Sequence, residues 1–299
     1  MKPLKLPTSF EQQIAALQDK GFVISDEKKC LALLHQVNYY KLSAYLLPFK
    51  TRDGSFEQGI DIQVVENMYR FDQKMRVIIF SAVEQIELFL RTQMAYYQAR
   101  TYCATAYLNP EIYNNRHDHE RFKKEIDEYI RHNRTSLVVK HHVRDYGGIF
   151  PIWVIIEYFS IGTLSYFYAD MILQDQKNIA RDLYNTTPDY LISWLKCLTV
   201  LRNKCAHYSR LYYWKFTDYP KIPVESNYAI TMRLFDQLMV LKWLYSNHYE
   251  WDTKIVTQIE ALVEQYADSI ELRHIGFPTN WKQKLFYNYT KQITGNIVD

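Results

Sequence analysis

The sequence predicts an all-α protein, a helical bundle with a helical accessory region at its N-terminus. Three observations point there. The 299 residues include only 8 Gly and 9 Pro. Nearly every segment between them repeats its apolar residues at helical spacing. Residues 62–104 contain neither Gly nor Pro, enough for one long helix or two joined by a slight kink. With 48% apolar residues the chain has ample material for a core and for one or two domains.

The elements follow in order. Thr8-Ser9-Phe10-Glu11 reads as a capping box, and Gly21 stops the helix it opens. Asp26 caps a second helix running to about Gln36. Residues 39–49 form an aromatic-apolar patch ended by Pro48. Arg52-Asp53-Gly54-Ser55 is a turn, and two short strands flanking it would form the one hairpin the sequence allows. The accessory region is expected to end near Gly59, giving a division into 1–59 and 60–299.

After the long helix, with Ile79, Val83, Ile86 and Leu90 on its apolar stripe, residues 109–119 form a polar connection. More polar helices are expected over 120–132 and 135–145, the second ended by Gly147-Gly148. The apolar run 149–173 contains Pro151, Glu157, Gly162 and Asp170, so it reads as a buried helix broken near Gly162, not as a membrane span. A short helix over 176–184 precedes one that starts with Thr187 as cap and Pro188 as its first residue. A loop over 212–224 with Pro220 and Pro223 leads to helices over 226–249 and 252–267. The tail carries Gly276, Pro278 and an aromatic, basic stretch at 281–291.

Composition narrows the classes of function. A net charge of +3 permits nucleic acid without demanding it. The 26 tyrosines suit amphipathic helix faces, and only those beside Lys or Arg suggest base stacking. Cys30, Cys103, Cys197 and Cys205 form no C-x-x-C pair, and the first ten residues lack the apolar run of a signal peptide, so a cytoplasmic location is expected.

The segment that singles itself out is Arg202-Asn203-Lys204-Cys205-Ala206-His207, at the end of the apolar stretch 191–201. A guanidinium, an amide and an imidazole together can grip a phosphate and move a proton at neutral pH. On an ideal helix Leu191, Trp194, Leu198, Leu201 and Cys205 form the core stripe, with Arg202 at its edge. Asn203 and His207 lie together on the far side, with His207 about 140° from Arg202. Convergence of Arg202 and His207 therefore needs a local break, a second helix or a second copy of the chain. A symmetric dimer would supply two imidazoles, one to take the proton of an RNA 2′-hydroxyl and one to protonate the leaving oxygen. Arg202 would neutralise the phosphate oxygens, Asn203 would hold an imidazole or contact RNA, and no metal or other cofactor would be needed. For a bare R-x-x-x-x-H string the plainer reading is a polar helix end satisfying carbonyls.

The surrounding blocks add a resemblance. Asn38-Tyr39-Tyr40-Lys41-Leu42-Ser43-Ala44-Tyr45 with Pro48-Phe49 comes first, then Tyr69-Arg70-Phe71-Asp72 with Met75-Arg76. Ile86-Glu87 with Leu90-Arg91-Thr92 and Pro151-Ile152-Trp153 with Ser160-Ile161-Gly162 follow. Ser193-Trp194, Leu201-Arg202-Asn203, Ala206-His207 and Arg210-Leu211 complete the set. In this ordered set the chain resembles the Abi-like (abortive infection) family of bacterial phage-defence proteins, within the HEPN superfamily. Lys41 and Ala44 stand where that family often has Arg and Gly. The resemblance covers most of the chain. It implies a helical HEPN fold, a homodimer, metal-independent RNA cleavage and a toxin role, with Arg202, Asn203 and His207 as the catalytic set. It also suggests an antitoxin, a small RNA or a protein.

Other candidates are weaker. Glu84, Glu87 and Arg91 share a helix face, either as a structural ion pair or as carboxylates orienting Arg202 or His207. Lys41 and Arg210 are candidate RNA contacts. Asp72 and Arg76 read as a structural pair. His117-Asp118-His119 and His141-His142 lack the spacing of a metal site, and Arg121, Lys123, Lys124, Arg131 and Arg134 read first as a solvated face. The expectation is a HEPN-type endoribonuclease acting on RNA in phage defence. The alternatives are a non-catalytic module binding RNA or protein through the same fold, and a helical scaffold in which Arg202 and His207 build a dimer interface.

Overall fold

A computed structural model describes residues 4, 6–223, 226 and 228–287. The chain is all-α, and among the described residues no strand extends beyond isolated bridges. Helix α1 (Phe10–Gln18) does open with a capping box, but Ser9 and Gln12 make it, one residue on from the expected Thr8 and Glu11. Helix α2 (Glu27–Gln36) starts at Asp26, whose carboxylate accepts the Lys29 N–H at 2.9 Å. Helix α3 (Tyr39–Ser43) passes into a 3₁₀ segment, Ala44–Phe49. The expected hairpin is reduced to a single bridge between Lys50 and Phe56, since the 3₁₀ segment runs up to Phe49 on one side and the chain turns again at 58–59 on the other.

Helix α4 (Ile62–Thr101) is the backbone of the molecule, 40 residues without a kink-forming residue and capped by Asp61. Its buried stripe runs from Val65 through Phe71, Met75, Ile79, Ile86 and Leu90 to Met94. Tyr45 and Leu42 of the N-terminal region are fully buried in the same core. Helices α5 (His119–His132) and α6 (Leu137–Asp145) follow, and Gly147 and Gly148 end the second in the left-handed region.

The apolar run divides into α7 (Ile152–Ile155), a 3₁₀ turn (Ile156–Tyr158) and α8 (Ile161–Asp170). The break therefore falls before Gly162, because the Ser160 hydroxyl caps α8 by accepting the Thr163 N–H at 3.1 Å. No helix among the described residues is long and apolar enough to cross a membrane. Helix α9 (Leu173–Tyr184) ends on Asn185 in the left-handed region. Helix α10 (Pro188–Ala206) packs against α4, α8 and α9. Thr187 stands at its N-cap, although the hydroxyl makes no capping bond.

Helix α11 (Leu234–Leu244) starts later than the sequence suggests. The buried Asp236 carboxylate accepts the backbone N–H groups of Thr231 (3.0 Å) and Met232 (2.6 Å), which holds them outside the helix. Helix α12 (His248–Glu250), a π-helical stretch (Trp251–Val256) and α13 (Thr257–Gln265) run on without a gap. Helix α14 (Trp281–Leu285) covers the start of the basic stretch, and residues 288–291 lie outside the described residues. One continuous apolar cluster joins these elements, with α4 and α10 at its centre.

Candidate active site

Helix α10 positions the motif by burying the stripe foreseen for it. Leu191, Trp194, Leu198, Leu201 and Cys205 are all inside. The rest of the motif is thereby pushed outward, Arg202 half-buried and Asn203 and His207 exposed. Burial raises the Cys205 thiol to about 12, so the motif's own sulfur stays protonated and inert.

The helix ends at Ala206, inside the motif, with His207 as its C-cap. The Tyr208 N–H donates to the Cys205 carbonyl at 3.0 Å and the Ser209 N–H to the Lys204 carbonyl at 2.8 Å. These two bonds form a Schellman cap, whose first residue beyond the helix must be left-handed. That residue is Tyr208, with φ 51°.

From there the chain is held by α4. Asp72, fully buried, accepts the N–H of Leu211 at 2.7 Å and of Tyr212 at 2.9 Å, and the Tyr45 hydroxyl at 2.7 Å. Arg76 pairs with Asp72 at 3.2 Å and donates to the Ser209 carbonyl at 3.1 Å. The i,i+4 pair that reads as structural is therefore a clamp on the segment that leaves His207. Two site candidates share in holding it. The Arg210 guanidinium donates to the Ala44 carbonyl and lies within 6.0 Å of the Tyr45 ring, and burial pushes its pKa down. The Lys41 ammonium lies 5.6 Å from the Tyr208 ring centroid, its pKa lowered by burial and then by the charge of Arg76.

Arg202 faces another way. Its Nη1 donates to Asn203 Oδ1 at 3.3 Å, and its side chain borders a groove of about 540 Å³ along α4. Glu84, Glu87 and Arg91 border the same groove. The Glu87–Arg91 pair is closed at 2.5 Å, and Arg91 also donates to the Phe159 carbonyl at 2.7 Å. So the acidic residues do meet Arg202 at one groove, although no hydrogen bond joins them to it. No hydrogen bond joins Arg202 to the His207 imidazole either, and Asn203 sides with Arg202. A break at His207 does exist, and it does not bring the two together within one chain.

Two neighbours carry no role in the sequence reading. Lys204 Nζ sits 3.7 Å from the Trp214 ring centroid, and burial lowers its pKa. Tyr208 stands one position past the helix end, where Gly is usual, and a bulky residue there is the signal that marks it.

The histidine pairs serve local structure. His117 contacts Asp170 (3.0 Å) and His119 (3.3 Å), and His119 reaches the Leu108 carbonyl (3.0 Å). His141 pairs with Asp145 and His142 contacts the Val138 carbonyl. Among the described residues no group of three or more His, Cys, Asp or Glu is arranged to hold a metal ion. Arg121, Lys123, Lys124, Arg131 and Arg134 are exposed.

No curated protein and no solved structure matches the chain. The sequence pattern that defines the Abi-like proteins matches residues 32–213, which takes in α3, the Asp72–Arg76 clamp, the Arg202 groove and the whole 202–207 motif. The chain belongs to the Abi-like family.

Proposed function

We propose that the chain is a HEPN-type endoribonuclease that acts as a toxin in abortive infection, cleaving RNA through its own 2′-hydroxyl without a metal ion. The observation that carries this reading is the composition of the α10 end. An exposed imidazole sits on a clamped turn, and a half-buried guanidinium opens onto a groove of its own. Attack by a 2′-hydroxyl needs a base for that proton, an acid for the 5′-oxygen and a cation for the phosphate. His207 provides the first two roles in turn or as a pair, and Arg202 the third.

The separation of Arg202 from His207 favours a homodimer in which one copy's motif faces the other's. The outer face of α4 beside the Arg202 groove supports it, with Val77, Phe80 and Leu88 exposed along one stripe. A neutralising partner, a small RNA or a protein, belongs to the same proposal.

The test is incubation of the purified protein with total cellular RNA, with and without EDTA. The expected products carry 2′,3′-cyclic phosphate and 5′-hydroxyl ends, and EDTA leaves the yield unchanged. His207→Ala and Arg202→Ala each abolish cleavage with the helical circular dichroism intact, and mixing the two chains restores part of it. Products with 5′-phosphate ends, or a requirement for magnesium, refute the mechanism. RNA binding without cleavage by the parent chain supports the non-catalytic alternative.

A further inference from the structure

A Schellman cap favours glycine at its left-handed position, because a side chain there meets the adjoining carbonyl. Tyr208 occupies that position with φ 51°. Among the described residues three other non-glycine residues have positive φ, and each has a local reason. Asn185 is, after Gly, the residue type that best tolerates a left-handed helix end. Met232 is held by the buried Asp236. The Tyr213 ring packs edge-on against His274 and under Arg233. Tyr208 differs, being 68% exposed with no hydrogen bond from its hydroxyl among the described residues. Among the described residues its ring partner is Lys41, 5.6 Å from the ring centroid.

Beyond that Lys41 contact nothing among the described residues rewards an aromatic ring at this strained place, while the Asp72–Arg76 clamp just beyond it holds the strain. What an exposed ring beside a cation and next to a candidate catalytic imidazole does best is stack a base and hold the attached phosphate.

We propose that Tyr208 and Lys41 form a subsite for an unpaired nucleotide of the RNA substrate beside the scissile phosphate, Tyr208 stacking its base and Lys41 contacting its backbone. This rests on the ribonuclease reading above and adds to it a substrate class, single-stranded RNA. A base inside a duplex is already stacked on both faces and cannot occupy the ring. Such a subsite also places the strand next to His207 before any proton moves, which is how binding energy is turned into orientation.

The test separates ring from backbone. Tyr208→Gly suits the cap better than the parent residue, so its melting temperature is expected to equal or exceed the parent's. Its affinity for a labelled single-stranded oligoribonucleotide, 2′-O-methylated to block cleavage, is expected to fall about 10-fold. Tyr208→Phe recovers most of that loss. Tyr146→Ala, which removes an exposed ring elsewhere, leaves affinity unchanged. A blunt RNA duplex competes poorly with the single strand. Equal affinity in Tyr208→Gly and parent, a loss accompanied by a lower melting temperature, or equal competition by duplex overturns the subsite and leaves the ribonuclease reading standing. A parent chain that binds no RNA overturns that reading itself.

Discussion

Asp72→Ala is the perturbation that most directly tests how the site is held. The substitution removes a fully buried carboxylate that accepts from Tyr45, Leu211 and Tyr212 and pairs with Arg76. It strands a guanidinium in a buried side chain only 5% exposed, together with two backbone N–H groups and a hydroxyl. Breaking a buried pair from one side costs about 3–5 kcal/mol, and the orphaned donors push the loss toward the upper end. With a urea slope of about 3 kcal/mol per M, a loss of about 4 kcal/mol lowers the unfolding midpoint by roughly 1.3 M. Arg76→Ala leaves Asp72 with its three other donors and costs less, about 2 kcal/mol. The double variant falls short of the sum by about 1–3 kcal/mol, because the second change removes the charge the first had stranded. Equilibrium unfolding in urea, followed by far-ultraviolet circular dichroism, reads all three. A loss below about 1 kcal/mol for Asp72→Ala, or strict additivity in the double variant, refutes the clamp.

Two further outcomes follow from other parts of the fold. Burial depresses the Lys242 ammonium from 10.5 to about 8, although it donates to the carbonyls of Lys284 and Phe286. Above pH 8 the unfolded chain keeps a proton on Lys242 that the folded chain has lost, so this group's contribution to stability rises between pH 8 and 10, by at most about 3 kcal/mol, against the falling contribution of the buried Cys197 and Cys205 thiols, whose pKa burial raises. Lys242→Met flattens that rise in thermal melts, and an unchanged slope disproves the assignment. Gly148 and Gly276 both have φ near 80°, but a Cβ on Gly148 meets nothing within 4 Å whereas one on Gly276 falls 2.3 Å from Thr231 Oγ1 and 2.9 Å from Arg233 Cβ. Gly148→Ala is expected to cost about 1 kcal/mol through the backbone alone, and Gly276→Ala about 2–3 kcal/mol. Equal losses in chemical denaturation contradict the close approach.

Most helices and the stripe on α10 were legible in the sequence, while the hairpin and the start of α11 were not. Capping residues such as Asp26, stop signals such as Gly147-Gly148 and apolar residues at helical spacing act within a turn or two, so they can be read locally. Burial of Leu191, Trp194, Leu198, Leu201 and Cys205 follows from the same periodicity, and it left Asn203 and His207 outside. Two boundaries were set to the residue by side chains that bond nearby backbone N–H groups. Ser160 set the break in the apolar run, and Asp236 delayed the start of α11 by holding Thr231 and Met232.

The tertiary structure alone decided what surrounds the motif. Asp72 and Tyr212 are 140 residues apart in sequence, and Ala44 and Arg210 are 166 apart. No spacing rule connects such pairs, since they meet only after α4 and α10 have packed on a shared core. That packing turned an i,i+4 ion pair into a clamp on the turn after His207, brought Glu84 and Glu87 to the groove of Arg202, and set Tyr208 in the open beside Lys41. A helix pattern fixes which side chains face outward. What stands opposite them depends on which helices the buried surface brings together, and that is a property of the whole chain.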